Sequence, residues 1–292
     1  MDIGGTTTVV GAVPVAAALP IEYRSRSTPP NPEQAATDIA AMTEEIVTEL
    51  VVRGECERRD VLGVGVGCPG PLDLETGSIL RTPNLEWDGF PVRDRVSDAL
   101  ALPATLDNDG NCAAYGEWWR GAGKGSEVMI GVTLGTGIGG GLVFGGRVVR
   151  GVIGGAGEIG HMTIELAGRR CGCGNEGCLE AYAAGPSIAA RAREGIAAGR
   201  VSSISDRVDG DLSRVSAETV SAAVLDDDAF AIEVMAETGR MLGAGLAGLV
   251  NVLNPDRIVV VGGVARAGES LFAPLRDEIR RRAFANLAQV CA

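Results

Sequence analysis

Eighteen residues of this chain hold its only histidine and three of its seven cysteines: His161, Cys171, Cys173 and Cys178, spaced His-x9-Cys-x-Cys-x4-Cys with glycines between the cysteines. Tetrahedral Zn2+ takes such a set of soft and borderline ligands, and four protein ligands leave no open position for water. The spacing therefore predicts a closed, structural zinc loop over 161–178 rather than a hydrolytic centre. Glu158 stands three residues before the histidine and Glu180 two after the last cysteine. A metal that pins the loop would aim two carboxylates and an imidazole at one place.

Charge and residue usage exclude several alternatives. A net charge of -12 and an aromatic content of 4% argue against nucleic acid or an anionic membrane as a partner. Lys124 is the only lysine, so 25 of the 26 basic side chains are arginine. A phosphate loop of the Gly-Lys-Ser/Thr type is excluded, because Lys124 is followed by Gly125. A serine–histidine–aspartate hydrolase would have to use His161, which the cysteines already claim. An odd cysteine count, no secretory signal and no run of 18 apolar residues predict a cytoplasmic protein. Cys56, Cys68, Cys112 and Cys291 then read as ordinary thiols.

The 292 residues suffice for one large or two medium domains. The 43 glycines are about twice the usual share of about 7% and cluster at the ends of apolar runs. Asp2 to Val13 reads as a glycine-threonine turn feeding a β-run, with either a missing strand before Asp2 or a chain that begins inside it. Helices are predicted over 33–53, 91–100, 112–120, 187–198, 228–253 and 270–283. Strands are predicted over 61–66, 104–106, 128–134, 142–144, 147–149 and 257–261, with residues 135–141 as a glycine turn. The turn at Asp2 to Val13 and the turn at Leu134 to Val143 form a weak repeat. Together they predict two related α/β domains, 1–109 and 110–292, facing each other.

Both turns suit phosphate, since glycine lets backbone N–H groups approach and threonine adds a hydroxyl donor. A plain hairpin is the alternative for either turn alone. The two turns together with Gly262-Gly263 after a strand favour phosphate, and Asp2 is placed to hold hydrated Mg2+. Asn108 and Asp109 follow a strand. Read alone, they cap the next helix; a carboxylate there is also suited to taking a proton from a hydroxyl nucleophile. Glu158, His161 and Glu180 suit sugar hydroxyls, one imidazole nitrogen facing the metal and the other a hydroxyl. Glycines 239, 243, 245 and 248 within one helix point to close packing by a neighbour.

Taken together, Asp-x-Gly-Gly-Thr at the start, Gly67-Cys68-Pro69-Gly70 and Thr82-Pro83-Asn84-Leu85 form part of a larger pattern. Asp107-Asn108-Asp109, Leu134-Gly135-Thr136-Gly137, Gly157-Glu158-Ile159-Gly160-His161, the cysteine run and Val261-Gly262-Gly263 complete it. The set resembles the ROK family of sugar kinases and repressors and, within it, the bacterial ATP-dependent glucokinases. That resemblance implies an actin-like (ribonuclease H-like) fold, two α/β domains about a central cleft. It implies that Asp109 is the general base on the sugar 6-hydroxyl, which reverses the capping preference. Asn84, Asn108, Glu158, His161 and Glu180 would bind the sugar. Asp2, Gly4, Gly5, Thr6, Thr136 and Gly137 would line the phosphates and Mg2+, and Gly262 and Gly263 the adenosine. His161, Cys171, Cys173 and Cys178 would hold Zn2+. The expected activity is ATP-dependent hexose phosphorylation with glucose as leading acceptor, N-acetylglucosamine, N-acetylmannosamine or fructose as alternatives, and a non-catalytic sugar sensor as the rival of another class. A homodimer or homotetramer is implied. The repressor branch carries an N-terminal helix-turn-helix, for which a phosphate motif beginning at residue 2 is expected to leave no room.

Overall fold

The computed structural model describes residues 1–17, 19–81 and 87–292. The sequence-predicted Asn84 lies outside them. Two sheets organise the chain. The first contains β1 (Asp2–Ile3), β2 (Thr7–Ala12), β3 (Glu22–Ser27), β4 (Val64–Cys68) and, beyond the small hairpin β5 (Leu72–Asp73) and β6 (Ser78–Ile79), β7 (Ala104–Asn108), in the order β3-β2-β1-β4-β7. The hairpin β1–β2–β3 is antiparallel, whereas β4 and β7 run parallel to β1. The Met1 carbonyl, just before β1, accepts the Gly67 N–H at 2.8 Å. Helices α1 (Pro32–Val52) and α2 (Val92–Leu100) cover this sheet. Asn31 caps α1 through Glu33 and Gln34, with Pro32 in the first turn. Ile39, Met42 and Ile46 of α1 pack with Ile3, Val66 and Val96.

The second sheet, β8 (Val128–Leu134), β9 (Ile138–Phe144), β10 (Arg147–Val148) and β11 (Arg257–Val261), has the order β10-β9-β8-β11, with β11 parallel to β8 and the others antiparallel. Its local plan repeats the first: a hairpin closed by a glycine-threonine turn, with a parallel strand beside its first arm. β8 is buried on both faces, as its unbroken apolar run requires. Ile130, Val132 and Leu134 enter a large core. That core is filled by α4 (Glu180–Ala183), α5 (Gly185–Ala197), α6 (Ser203–Arg207), α7 (Ala217–Leu225), α8 (Ala229–Leu253) and α9 (Glu269–Arg282), with α10 (Ala285–Val290) against its edge. Met129, on the alternate face, packs with Val143, Val259 and Ala114 of α3 (Asp109–Arg120). Among the described residues no helix is long and apolar enough to cross a membrane.

Several boundaries differ from the sequence reading, three of them beside the first sheet's carboxyl edge. β4 ends at Cys68 rather than Val66, β7 runs on through Asn108, and α3 starts at Asp109 rather than Cys112. Residues 138–141 are strand, not turn. Glycine is required there by crowding: a Cβ at Gly140 would lie 2.8 Å from the Gly157 carbonyl and one at Gly141 2.6 Å from the Ala114 side chain. The glycines reflect what presses on the strand, a tertiary cause that local sequence does not display.

Candidate active site

The carboxyl ends of β1, β4 and β7 lie side by side, with Asp2 opposite Gly67 and Gly67 opposite Asp107. Ligands of open α/β sheets collect at such ends. Asn108 and Asp109 follow, and they divide the two roles that the sequence left open. Asn108 is the cap, its Oδ1 accepting the Asn111 N–H at 3.2 Å. Asp109 heads α3 with its side chain exposed; one oxygen accepts the Gly110 N–H at 2.8 Å. Asp2 feels Asp109: burial in the crevice pushes the Asp2 carboxyl above its ordinary value, and the charge of Asp109 pushes it further. Two carboxylates that repel each other beside a glycine turn are a fitting site for a hydrated divalent cation. Gly4, Gly5 and Thr6 form that turn, closed by Gly4 N–H to the Thr7 carbonyl at 3.0 Å and by Thr28 N–H to the Thr6 carbonyl at 2.9 Å.

The second sheet carries the other wall. Gly110, next to Asp109, sits on β9 so closely that a Cβ would fall 2.8 Å from the Gly140 carbonyl. The loop bearing Glu158 lies on the same residue of β9. Glu158 leads into a single 3-10 turn, Ile159–His161, which buries Ile159 and turns the imidazole toward the cysteines. His161 Nδ1 is 3.7 Å from Cys171 Sγ, while Nε2 faces a Glu158 oxygen at 4.0 Å.

The four sequence-predicted ligands converge: one atom from each of His161, Cys171, Cys173 and Cys178 lies within 4.8 Å of all the others. The Cys173 and Cys178 sulfurs are 3.7 Å apart. A tetrahedral zinc with bonds of about 2.3 Å separates two sulfurs by about 3.8 Å, so the residues fit the ion. Glu180 connects this cluster to the second turn. Its Oε1 is 3.7 Å from Cys171 Sγ and its Oε2 accepts the Ile138 N–H at 2.9 Å, immediately beyond Thr136 and Gly137.

Thr136 and Gly263 open onto a cavity of about 390 Å³, which is also lined by Gly135, Arg193, Ser216 and Glu218. Gly262 stands behind it with φ 111°, a conformation open to glycine. Asp2, Gly4, Gly5 and Thr6 are not among its lining residues; they face the cleft from the other sheet. Arg193, Ser216 and Glu218 were missed in the sequence. Ser216 alone carried a local signal, as the cap of α7. A broader hollow of about 670 Å³ lies outside α1, but Arg24, Glu45 and Glu44 on its rim are held in ion pairs and no chemistry converges there.

Two α/β sheets, each offering a glycine-threonine turn and one offering a histidine–cysteine cluster able to hold a metal, define the actin-like sugar-kinase class. The sequence pattern of the ROK family matches residues 1–292, and the chain belongs to that family. A glucokinase of Halalkalibacterium halodurans is 36% identical over 99% of this chain and 86% of its own. The crystal structure of a ROK family glucokinase from Streptomyces griseus in complex with glucose and AMPPNP is similar with TM-score 0.82 and 32% identity, covering 99% of this chain and 95% of that one. A ROK family transcriptional regulator is similar with TM-score 0.86 and 25% identity, covering 100% of this chain and 72% of that one.

Proposed function

We propose that the protein is a cytoplasmic, ATP-dependent hexose kinase that phosphorylates the sugar 6-hydroxyl, with glucose as the first acceptor. The observation that carries this reading is that Gly110, the residue after Asp109, and Gly157, the residue before Glu158, both press on Gly140 of β9: a base from one sheet and a sugar-binding shelf from the other. The similarity to glucokinases, one of them holding glucose and a nucleotide analogue, supports the same choice. Asn108, Glu158, His161 and Glu180 hold the sugar, and Asn84 joins them by family resemblance. Thr136, Gly137, Gly262 and Gly263 hold the nucleotide on the second lobe, and Asp2, Gly4, Gly5 and Thr6 face its phosphates from the first.

Asp109 takes the proton of the 6-hydroxyl as that oxygen bonds to the γ-phosphorus; the bond from phosphorus to the β–γ bridging oxygen breaks and ADP leaves. Mg2+, held by Asp2, would supply charge neutralisation between the phosphates. Zn2+, held by His161, Cys171, Cys173 and Cys178, would supply rigidity to loop 161–178, fixing the imidazole tautomer so that Nε2 addresses the sugar. Lobes 1–109 and 110–292 close on the substrates and exclude water, which otherwise competes for the γ-phosphate.

The test is ADP release from Mg-ATP with glucose, fructose, mannose, N-acetylglucosamine and N-acetylmannosamine in turn. Release dependent on one sugar supports the kinase and names its acceptor. Saturable sugar binding without release with any of them sinks it and favours a sugar sensor, the second reading that the likeness to a regulator supports.

A further inference from the structure

Asp107, two residues before the proposed base, makes four hydrogen bonds through its carboxylate. Oδ1 accepts the Asn108 N–H at 2.9 Å and the Asn111 Nδ2–H at 3.0 Å. Oδ2 accepts Nε–H and Nη2–H of Arg150 at 2.9 and 2.6 Å. Arg150 follows β10 on the opposite sheet. One carboxylate thus ties the junction of β7 and α3 to the other wall of the cleft. The Asp107 side chain is 17% exposed and that of Arg150 46%, so the pair is partly sheltered from water. The Arg150 carbonyl in turn accepts the Ala156 N–H at 3.0 Å, closing the loop that delivers Glu158.

Arg150 therefore joins the base through its side chain and the sugar shelf through its backbone. Charge-assisted bonds from two guanidinium nitrogens fix a carboxylate in direction as well as in place. A carboxylate so fixed holds the Asn108 amide and the Asn111 side chain on either side of Asp109. Resting on the kinase reading above, we propose that Arg150 is a positioning residue for phosphoryl transfer: through Asp107 it holds the Asn108–Asp109 turn where the Asp109 carboxylate meets the sugar hydroxyl. Arg150 itself touches no reacting atom. Placement matters at this scale, since a displacement of about 1 Å costs roughly 100-fold in rate.

The test uses Arg150→Gln and Arg150→Lys in the full chain, with the acceptor found by ADP release. Arg150→Gln lowers kcat about 10- to 100-fold and leaves the sugar KM within about threefold, because the backbone bond to Ala156 survives. Arg150→Lys regains part of the rate, keeping the charge without the fork; it also carries the test if the glutamine variant fails to fold. Asp107→Asn combined with Arg150→Gln is no slower than the slower single variant, as one network requires. Hydrogen exchange at the Gly110 and Asn111 amides quickens in Arg150→Gln while α8 is unchanged. That last readout needs no turnover, so a wild-type protein inactive with every sugar would sink the kinase reading and still leave the positioning claim to be decided. A kcat within twofold of wild type, additive single variants, or exchange that quickens throughout the chain would each overturn the proposal.

Discussion

Helix α8 carries Gly243 and Gly248 five residues apart, and replacing each by alanine separates packing from propensity. A Cβ at Gly243 would lie 2.5 Å from the Leu275 carbonyl oxygen and 2.7 Å from Glu278 Cβ, both on α9. Carbon–oxygen contacts settle at about 3.3–3.6 Å, so the α9 backbone must retreat by most of an ångström. Overpacking of this kind costs about 1–3 kcal/mol, and a clash with main chain falls at the upper end. Helix propensity returns about 1 kcal/mol, which leaves Gly243→Ala destabilised by roughly 2 kcal/mol. At Gly248 nothing lies within 4 Å of the added carbon. Gly248→Ala therefore keeps the whole propensity gain of about 1 kcal/mol. With about 2–4 °C per kcal/mol in chains of this size, Tm should fall by about 4–8 °C in the first variant and rise by about 2–4 °C in the second. Thermal melts followed by far-ultraviolet circular dichroism at one protein concentration measure both. If Gly243→Ala rose in step with Gly248→Ala, the contact of α8 with α9 would not be as close as described.

Asp109→Asn should lower kcat by about 100- to 10,000-fold while calorimetry shows glucose affinity nearly kept; rapid turnover by the variant would remove Asp109 as the base. Cys173→Ser should release zinc, read by elemental analysis, and weaken sugar binding with it; lost metal with unchanged affinity would make the zinc a remote staple. Glu278 is 8% exposed and its carboxyl is drawn down to about 2 by hydrogen bonds from Arg281 and Arg282. A folded value below the ordinary one stabilises the fold at pH above about 4.5, and that contribution is lost as pH falls toward 2. The guanidiniums face water, 63% and 49% exposed, so screening limits the effect to about 1–2 kcal/mol. Urea titrations at pH 7 and pH 3 should find Glu278→Gln weaker than wild type at both, with a clearly smaller deficit at pH 3; an equal deficit at both would contradict the ion pairs.

The convergence of the histidine and three cysteines and the major elements were legible because their signals are local. His161 and the cysteines advertise a ligand set by spacing, and α1 announces itself with Asn31-Pro32 and an apolar face. The order of β1, β4 and β7 was not legible, since parallel pairing joins segments far apart in the chain. The same holds for β9, whose glycines look like a turn until α3 and the Glu158 loop are seen pressing on it. Asn108 and Asp109 were both recognised, but which one caps α3 depends on where the helix starts. Arg150 is one arginine among 25 in the sequence; only its position opposite Asp107 distinguishes it. Arg193 and Glu218 reach the cavity beside Thr136 from helices whose sequence records burial and says nothing of what lies across from them.

Helix α3 has a mechanical consequence. It leaves the first sheet at Asn108, packs along the second through Ala114, and at its far end Arg120 Nη2–H reaches the loop between β2 and β3, donating to the Val15 carbonyl at 2.7 Å. The rod is about 18 Å long at 1.5 Å per residue; it is joined to the first sheet at its start and to the loop between β2 and β3 at its end. A relative motion that preserves both attachments cannot slide or splay the sheets; it must turn one about the axis of the rod. Asp109, at the head of that rod, then moves least.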